Sequence, residues 1–230
     1  MTNRSTTVVI PVLNGAEHIA EALASVLLQL ECDDRVVVVN DRSTDATVGI
    51  VGEFVRRDPR VELIACEGSG CAAGRNTGLR RGTSEFVAFL DHDDIWPVGS
   101  LAQLRDALFN RPGLDAVYGR MKLQFDNGLD ERYAPLDGQY VHRVGVWGCL
   151  FRRKTLQRVT GFDESMVAGE DTDYWLRLEE AGVAAAPVDA VTIVYRRHPG
   201  NMTASKAVRI DGSMAVLRRR IARNRDRADL

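Results

Sequence analysis

The chain has 230 residues, of which 45% are hydrophobic and 27% charged, a composition typical of one soluble globular domain with a full core. The formal charge of −2 gives no electrostatic basis for binding nucleic acid, and no apolar run is long enough to span a membrane. The four cysteines lack zinc-type spacing and the N-terminus has no signal-peptide pattern, so we predict free thiols in a cytoplasmic protein.

The first hundred residues alternate between strand and helix patterns. Asn14, with Glu17 three positions later, resembles a capping box for the first helix. The second helix is predicted to begin at Ser43, and a short third helix at residues 75–81, after a loop that contains three glycines. Strands are predicted at residues 7–13, 35–39, 61–66 and 86–90, with the first and the fourth buried. This alternation predicts an α/β fold with a mainly parallel central sheet flanked by helices and a Rossmann-like N-terminal half.

The second half of the sequence is less regular. Its patterns predict a helix that ends at residues 111–113, a strand at 115–125, a turn at 126–128, a short helix at 154–159, a helix that opens at 169–173, a strand at 188–197 and an arginine-rich helix from Met214.

The fourth strand stops at three carboxylates, Asp91, Asp93 and Asp94. Carboxylates this crowded repel one another, so their pKa values rise unless a cation compensates. Oxygen ligands suit Mg²⁺ or Mn²⁺, and Mg²⁺ usually shares its site with phosphates. A metal and diphosphate site is therefore one interpretation. A solvated acidic turn that caps the helix beginning near Gly99 is the other, and the three residues alone do not decide between them.

Polar residues also follow the first two strands, at Asn14 and at Asn40-Asp41. Ligands of open parallel sheets bind beyond the carboxyl ends of the strands. The coincidence of these strand ends with the acidic one favours a nucleotide-binding half-domain, although one such residue by itself is often only a helix cap.

Five segments now match one known family, in that family's order. They read VVIPVLNGAEHI, VVVVNDRSTD, AAGRNTGLRRGTSEFVAFLDHDDIW, GFDESMVAGEDTDYWLRL and YRRHPGNMT. Over most of its length the chain resembles the family 2 glycosyltransferases of the GT-A fold. The resemblance implies an inverting transferase that moves a sugar from a nucleoside diphosphate, with a UDP-sugar favoured, to an acceptor hydroxyl with Mg²⁺ or Mn²⁺. The acceptor stays open among a glycan, a lipid-linked molecule and a small molecule.

The resemblance also implies one domain in three parts. Residues 1–98 form the half that binds the nucleotide sugar, residues 99–205 the acceptor and catalytic half, and residues 206–230 a basic C-terminal helix. The arginine-rich tail is open to two interpretations, a weak peripheral contact with an anionic membrane and a solvated surface helix, and the interspersed acids favour the second.

On the resemblance, Asp91-His92-Asp93 corresponds to the family's DxD motif. Asp93 is expected to bind the metal that bridges the diphosphate, and Asp91 to face the ribose or the waters of the metal. His198 matches a position that often contributes a metal or diphosphate ligand, and His92 is counted with the donor-binding residues. Asp94 continues the motif, but we expect it to cap the following helix.

Pro11 and Asp41 match the positions that hold the nucleotide base, where a carboxylate can accept the N3–H of uracil or thymine. The family usually has Asp-Asp-Gly-Ser where this chain has Asn40, Asp41, Arg42 and a serine. These departures leave the identity of the base open. Asn14 and Asn40 complete the predicted donor-binding residues.

Arg75, in the helix after the glycine loop, has two interpretations of equal weight. It neutralises phosphate or holds Asp91, or it is a buried structural arginine paired with an acid at a strand end.

Asp171 matches the family's catalytic base, which must reach the proton of the acceptor hydroxyl. The alternative is that Glu170 and Asp171 are only first-turn acids favoured by the helix dipole. Trp147 is expected to be a core aromatic, with stacking on an acceptor sugar as the alternative.

Two other functions remain. A sugar-phosphate nucleotidylyltransferase is disfavoured, because it needs a glycine-rich loop after the first strand and this chain has PVLNGAEHI there. A non-catalytic nucleotide-sugar-binding protein is disfavoured by the intact Asp93 and Asp171, while Asn40 leaves it open.

Overall fold

The computed structural model describes residues 4–125, 136–141, 145–202 and 205–228. The strands in these ranges are β1 Thr6–Val12, β2 Arg35–Asn40, β3 Val61–Ala65, β4 Phe86–Phe89, β5 Ala116–Phe125, β6 Tyr140–Val141, β7 Cys149–Arg152 and β8 Ala185–Arg197. The helices are α1 Ile19–Leu27, α2 Thr47–Arg57, α3 Gly70–Arg81, α4 Ser100–Phe109, α5 Arg153–Leu156, α6 Glu170–Glu180 and α7 Lys206–Ala228. The predicted turn at residues 126–128 lies outside the described residues.

All eight described strands join one sheet in the order β3-β2-β1-β4-β7-β5-β6, with β8 paired to β5. Strands β1 to β4 pair only in parallel with one another, and β5 with β8 is parallel too. The pairs β4–β7, β5–β7 and β5–β6 are antiparallel. The predicted mainly parallel sheet with a Rossmann-like first half is confirmed, and the carboxyl ends of β1, β2 and β4 therefore meet at one edge.

The core lies on the sheet because its central strands are apolar on both faces. Every residue of β1 and of β4 is buried. Helix α3 packs directly on β1, and its glycines make this possible. A Cβ on Gly74 would lie 2.8 Å from Pro11 Cβ, and one on Gly78 would clash with Val9 Cγ1. The prediction that α3 begins only at Arg75 is wrong for this reason, since close packing favours glycine inside the helix.

The capping box predicted at Asn14 and Glu17 is also wrong. Helix α1 begins at Ile19, and its N-cap residue His18 makes no side-chain cap hydrogen bond. Asn14 has a φ of 50°, and its Oδ1 accepts a 2.8 Å hydrogen bond from the backbone N–H of Thr44. Its side chain therefore joins the loops after β1 and β2 and does not cap a helix.

Two helix starts also differ from prediction. Helix α2 begins at Thr47 and not at Ser43, because the Ser43 N–H bonds Asn40 Oδ1 and its Oγ accepts the Asn14 N–H, which keeps it in the loop. The C-terminal helix begins at Lys206, where the predicted division of the chain begins its basic C-terminal helix, and not at Met214, where the residue pattern indicated it.

Candidate active site

A cleft of about 570 Å³ opens at the carboxyl edge of the sheet. Strand β4 contributes Asp91 and Asp93 from its end, helix α3 contributes Arg75, and helix α6 contributes Asp171. Helix α7 covers another side. The cleft therefore brings together the acidic strand end and the predicted base, which are about 80 residues apart in the sequence.

Asp93 lies beside His198, as the sequence predicts for two residues of one metal site. The Nε2 atom of His198 is 3.1 Å from Asp93 Oδ2. The Asn201 side-chain amide donates to the same oxygen at 2.8 Å, and the His198 backbone N–H donates to Asn201 Oδ1 at 2.7 Å. The ring of His18 packs on that of His198 with centroids 4.4 Å apart. Neither Asn201 nor His18 was selected from the sequence as a site residue. The only signal was that Asn201 lies close to His198 in the chain.

The pair Asp93 and His198 suits a divalent cation chemically, because a carboxylate oxygen fits Mg²⁺ or Mn²⁺ and imidazole is a common metal ligand. Among the described residues, no group of three or more His, Cys, Asp or Glu side chains is arranged to hold a metal. A cation at this pair would therefore need oxygen atoms from a bound diphosphate to complete its coordination, as is usual for Mg²⁺.

Asp94 does not cap helix α4, so that prediction is wrong. Helix α4 has Gly99 as its N-cap residue, with a φ of 81°. Asp94 is fully buried and its Oδ1 accepts a 2.9 Å hydrogen bond from the backbone N–H of Arg196. Burial, and then the nearby Asp93, raise the pKa of Asp94 well above its ordinary value. The interpretation of a solvated acidic turn fails at this residue, because Asp94 instead joins β4 to β8.

Arg75 connects the two sides of the cleft. Its side chain is 2% exposed, and its two terminal nitrogens donate to Asp91 Oδ1 at 2.7 Å and to Glu170 Oε1 at 2.6 Å. Burial raises the pKa of Asp91 and of Glu170, and the Arg75 guanidinium opposes that rise. The two interpretations of Arg75 therefore coincide, since it is a buried structural arginine that holds Asp91.

Asp171 lies in the first turn of α6, with one side of its carboxylate fixed by neighbours. Its Oδ2 accepts a 2.8 Å hydrogen bond from Trp147 Nε1, and its Oδ1 accepts one of 2.7 Å from the Thr172 backbone N–H. Trp147 is buried, as predicted, yet its indole lines the cleft. Glu170 also lines the cleft, but it is buried and its carboxylate is held in the ion pair with Arg75. The two first-turn acids thus have different surroundings, and only Asp171 faces the cleft with a hydrogen-bonded, partly exposed carboxylate.

The residues predicted to hold the base lie at the ends of β1 and β2. Asp41 is buried, and its carboxylate accepts hydrogen bonds from Gly70 N at 2.6 Å and from the Arg42 guanidinium at 2.8 Å. Arg42 has a φ of 61° and also donates to the Gly68 carbonyl. Its side chain therefore lies across Asp41, where the family usually has glycine.

The remaining donor-side residues support loops. Asn40 Oδ1 accepts the Ser43 N–H, Pro11 packs under α3, and His92 lies so close to Gly15 that a Cβ there would be 2.5 Å from the His92 ring. Within the described part of the chain, the cleft lining begins at Cys71, so Pro11, Asn14, Asn40 and Asp41 lie outside it.

The chain belongs to glycosyl transferase family 2, whose family model matches residues 7–225. It is 33% identical over 212 residues to TuaG of Bacillus subtilis (strain 168), a glycosyltransferase named for teichuronic acid biosynthesis, covering 86% of this chain and 81% of that protein. It is 27% identical over 205 residues to WfgD of Escherichia coli, a UDP-Glc:alpha-D-GlcNAc-diphosphoundecaprenol beta-1,3-glucosyltransferase, covering 86% and 79%.

The fold is that of solved GT-A glycosyltransferases. The mannosyltransferase PcManGT from Pyrobaculum calidifontis, crystallised with GDP-Man and Mn²⁺, superposes with a TM-score of 0.73 at 23% identity, covering 96% of this chain and 65% of that one. The chain spans about three fifths of the length of several proteins that it matches. Membership of the family and the GT-A fold are thereby confirmed.

Proposed function

We propose that this protein is an inverting glycosyltransferase that moves a sugar from a UDP-sugar to an acceptor hydroxyl, with Asp171 as the base. The observation that supports this most is the Arg75 bridge. It joins Asp91, after the end of β4, to Glu170, the neighbour of Asp171, so the acidic end of β4 and the proposed base share one cleft. The chain spans only part of the length of several relatives, so the activity of the whole protein is also a proposal.

In the proposed reaction the acceptor oxygen attacks the anomeric carbon in one step. The Asp171 carboxylate takes the hydroxyl proton, the new C–O bond forms, and the bond from the anomeric carbon to the diphosphate oxygen breaks on the opposite face. The Trp147 indole N–H donates the hydrogen bond that orients the Asp171 carboxylate, and the carboxylate can still accept the hydroxyl proton. No enzyme nucleophile takes part, so the configuration at the anomeric carbon inverts.

Asp93 and His198 would hold the divalent cation, with Asn201 orienting the Asp93 carboxylate. Such a cation supplies positive charge that stabilises the diphosphate as it leaves. Mn²⁺ is supported by its presence in the PcManGT complex. Asp91, held by Arg75, is placed on the donor side, where it would contact the ribose or the metal's waters.

A UDP-sugar is favoured as donor because Asp41 offers a carboxylate to a pyrimidine N3–H, and because WfgD is named for a UDP-Glc donor. The Arg42 guanidinium beside Asp41 favours a base that also accepts a hydrogen bond, which uracil does through its carbonyl oxygens. The name of WfgD, which includes a diphosphoundecaprenol acceptor, supports a lipid-linked or other glycan acceptor here.

The test is hydrolysis and transfer measured across UDP-, dTDP-, GDP- and ADP-sugars, with and without Mn²⁺, and with product configuration read by NMR. We expect turnover of a UDP-sugar that requires the metal and inverts the anomeric centre. Tightest binding of GDP would overturn the assignment of Asp41 and point to Asn40 and Arg42 as re-specifying elements. Binding without turnover on any acceptor would favour a non-catalytic binding protein, and retained configuration would exclude the single displacement.

A further inference from the structure

Helix α7 packs against the protein with its more polar side. Arg219 bonds Asp163 at 2.8 Å, and Arg223 bonds Asp173 and Glu180 at 2.8 Å each. Between these ion pairs and the helix start, Gly212 lies so close to Ala168 that a Cβ would be 3.0 Å from the alanine Cβ. The inner face of α7 is therefore fixed by charge pairs and close backbone packing.

The opposite face of α7 is apolar and exposed. Ile210, Met214, Leu217 and Ile221 recur at spacings of four, three and four residues, which places them on one stripe of an α-helix. Each of these side chains is 42–51% exposed. A surface helix usually turns its apolar stripe to the core, whereas α7 buries Val216 on its inner side and leaves this second apolar stripe exposed. An exposed apolar face of this kind marks an interaction site.

Basic residues flank this stripe. Lys206–Ala228 contains eight basic and two acidic residues, a net charge of +6 in a chain whose total is −2. Arg218 and Arg225 follow the stripe on one side and Arg220 on the other, and all three are exposed. No ion pair is found for these three arginines among the described residues. The whole chain has a slightly negative net charge, but the positive charge of α7 is concentrated around the exposed apolar face.

We infer that α7 docks on an anionic lipid bilayer, with the apolar stripe in the interface and the flanking arginines on the headgroups. This pattern of an apolar face between arginines is that of a helix lying in the membrane plane. None of the described helices is both long enough and apolar enough to cross a bilayer, so the helix lies on the surface. A second copy of the chain fits the stripe less well, because pairing two such faces would bring the unpaired arginines of both copies together.

The docking surface is next to the candidate active site. The inner side of α7 contributes Val208, Gly212 and Val216 to the lining of the cleft that holds Asp171. The cleft also exposes apolar side chains, Leu136 and Met202, which are 40% and 50% exposed. A bilayer against α7 would therefore hold this apolar cleft close to the lipid surface. The docking itself does not depend on which donor or acceptor the enzyme uses.

The experiment is co-sedimentation of the full chain with vesicles of phosphatidylglycerol or of phosphatidylcholine. The wild type is expected to bind the anionic vesicles and not the neutral ones, and high salt should weaken the binding. The variant Leu217→Gln/Ile221→Gln should lose at least about tenfold in partition, and so should Arg218→Gln/Arg220→Gln/Arg225→Gln.

The controls change exposed residues elsewhere, and the apolar control pair is more exposed than Leu217 and Ile221. Leu28→Gln/Val98→Gln removes two exposed apolar side chains, and Arg56→Gln/Arg57→Gln removes two exposed arginines of α2. Both should bind vesicles like the wild type. Circular dichroism and urea unfolding check the fold of every variant, so the result does not depend on the proposed reaction.

Three outcomes would overturn the inference. They are no binding of the wild type to anionic vesicles, equal loss in the control variants, and a dimer in solution that Leu217→Gln/Ile221→Gln dissociates while vesicle binding is absent. The last outcome would assign the stripe to a second copy of the chain.

Discussion

Trp147 and Asp171 are joined by a hydrogen bond of 2.8 Å from the indole Nε1 to the carboxylate Oδ2, across 24 residues of sequence. A buried indole is rigid, so this bond fixes the direction in which the carboxylate faces the cleft. The Thr172 backbone N–H fixes the other oxygen. The remaining lone pairs of the carboxylate are left to accept a proton from a hydroxyl in the cleft.

Replacing Asp171 with Asn tests the base directly. The amide keeps the size and one oxygen acceptor for the Trp147 bond but cannot take a proton. Turnover should fall by roughly 10²–10⁴, the usual contribution of a positioned acid or base, with UDP and Mn²⁺ binding nearly unchanged. Initial rates and calorimetry measure the two effects. Asp33→Asn, at an exposed carboxylate, is the control, and a loss of binding equal to the loss of rate would assign Asp171 to the donor site.

Asp93→Ala tests the metal site. Removing the carboxylate leaves His198 and Asn201 without the oxygen that both contact, so we expect no turnover and weaker UDP binding when Mn²⁺ is present. UDP affinity without metal should stay the same. His198→Gln should reproduce the loss of the metal-dependent part of the affinity. Identical Mn²⁺-dependent affinity in wild type and Asp93→Ala would remove Asp93 from the metal site.

Gly78→Ala tests the packing of α3 on β1. Alanine is usually better than glycine in a helix by about 0.5–1 kcal/mol. At Gly78 the new Cβ would clash with the Val9 side chain, so the free energy of unfolding should fall by about 1–3 kcal/mol. Gly52→Ala in α2, where no atom lies within 4 Å, should instead raise it by about 0.5–1 kcal/mol. Urea unfolding gives both values. Changes of the same sign in the free energy of unfolding at the two sites would contradict the close packing of α3 on β1.

Asp163 gives a pH-dependent prediction. Hydrogen bonds from Ser165 and then from Arg219 lower the pKa of Asp163 to about 2. A lowered pKa in the folded state means that the stabilisation is present above the unfolded value near 4 and is lost as pH falls towards 2. The full shift corresponds to about 2 kcal/mol, which we reduce to about 1 kcal/mol because the side chain is one-third exposed to solvent.

Asp163→Asn should therefore lower the free energy of unfolding by about 1 kcal/mol at pH 7. Its difference from the wild type should narrow between pH 4 and pH 2. A difference that is constant with pH would mean that Asp163 acts through its shape and not through its charge.

The N-terminal half could be predicted because its signals are local. β1 is a short run of buried, mostly β-branched residues, and α1 carries apolar residues at helical spacing. The residue pattern indicated α7 only from Met214, because Gly212 and Ser213 lower helix propensity before it. The close contact of Gly212 with Ala168 makes glycine the residue that fits, and this contact is not visible in the local sequence.

The site residues divide in the same way. Asp93 and Asp171 were selected from motifs and line one cleft, and His198, also selected from a motif, contacts Asp93. Asp94 was misassigned because its partner, the N–H of Arg196, lies 102 residues away. Asn201 lies in the segment YRRHPGNMT but was not selected, because its contact with Asp93 exists only once β8 is beside the end of β4.

The Arg75 bridge also limits how this enzyme can be recombined with its relatives. A chimera that exchanged the segment after residue 99 would replace Glu170 while keeping Arg75 and Asp91 from the first half. If the incoming segment lacked an acid at that position, one of the two hydrogen-bonding nitrogens of a buried cation would lose its partner, and losses of this kind cost about 3–5 kcal/mol. The segments before and after residue 99 are therefore exchangeable only when these three positions are kept as a matched set, which is a design rule for chimeras of this chain.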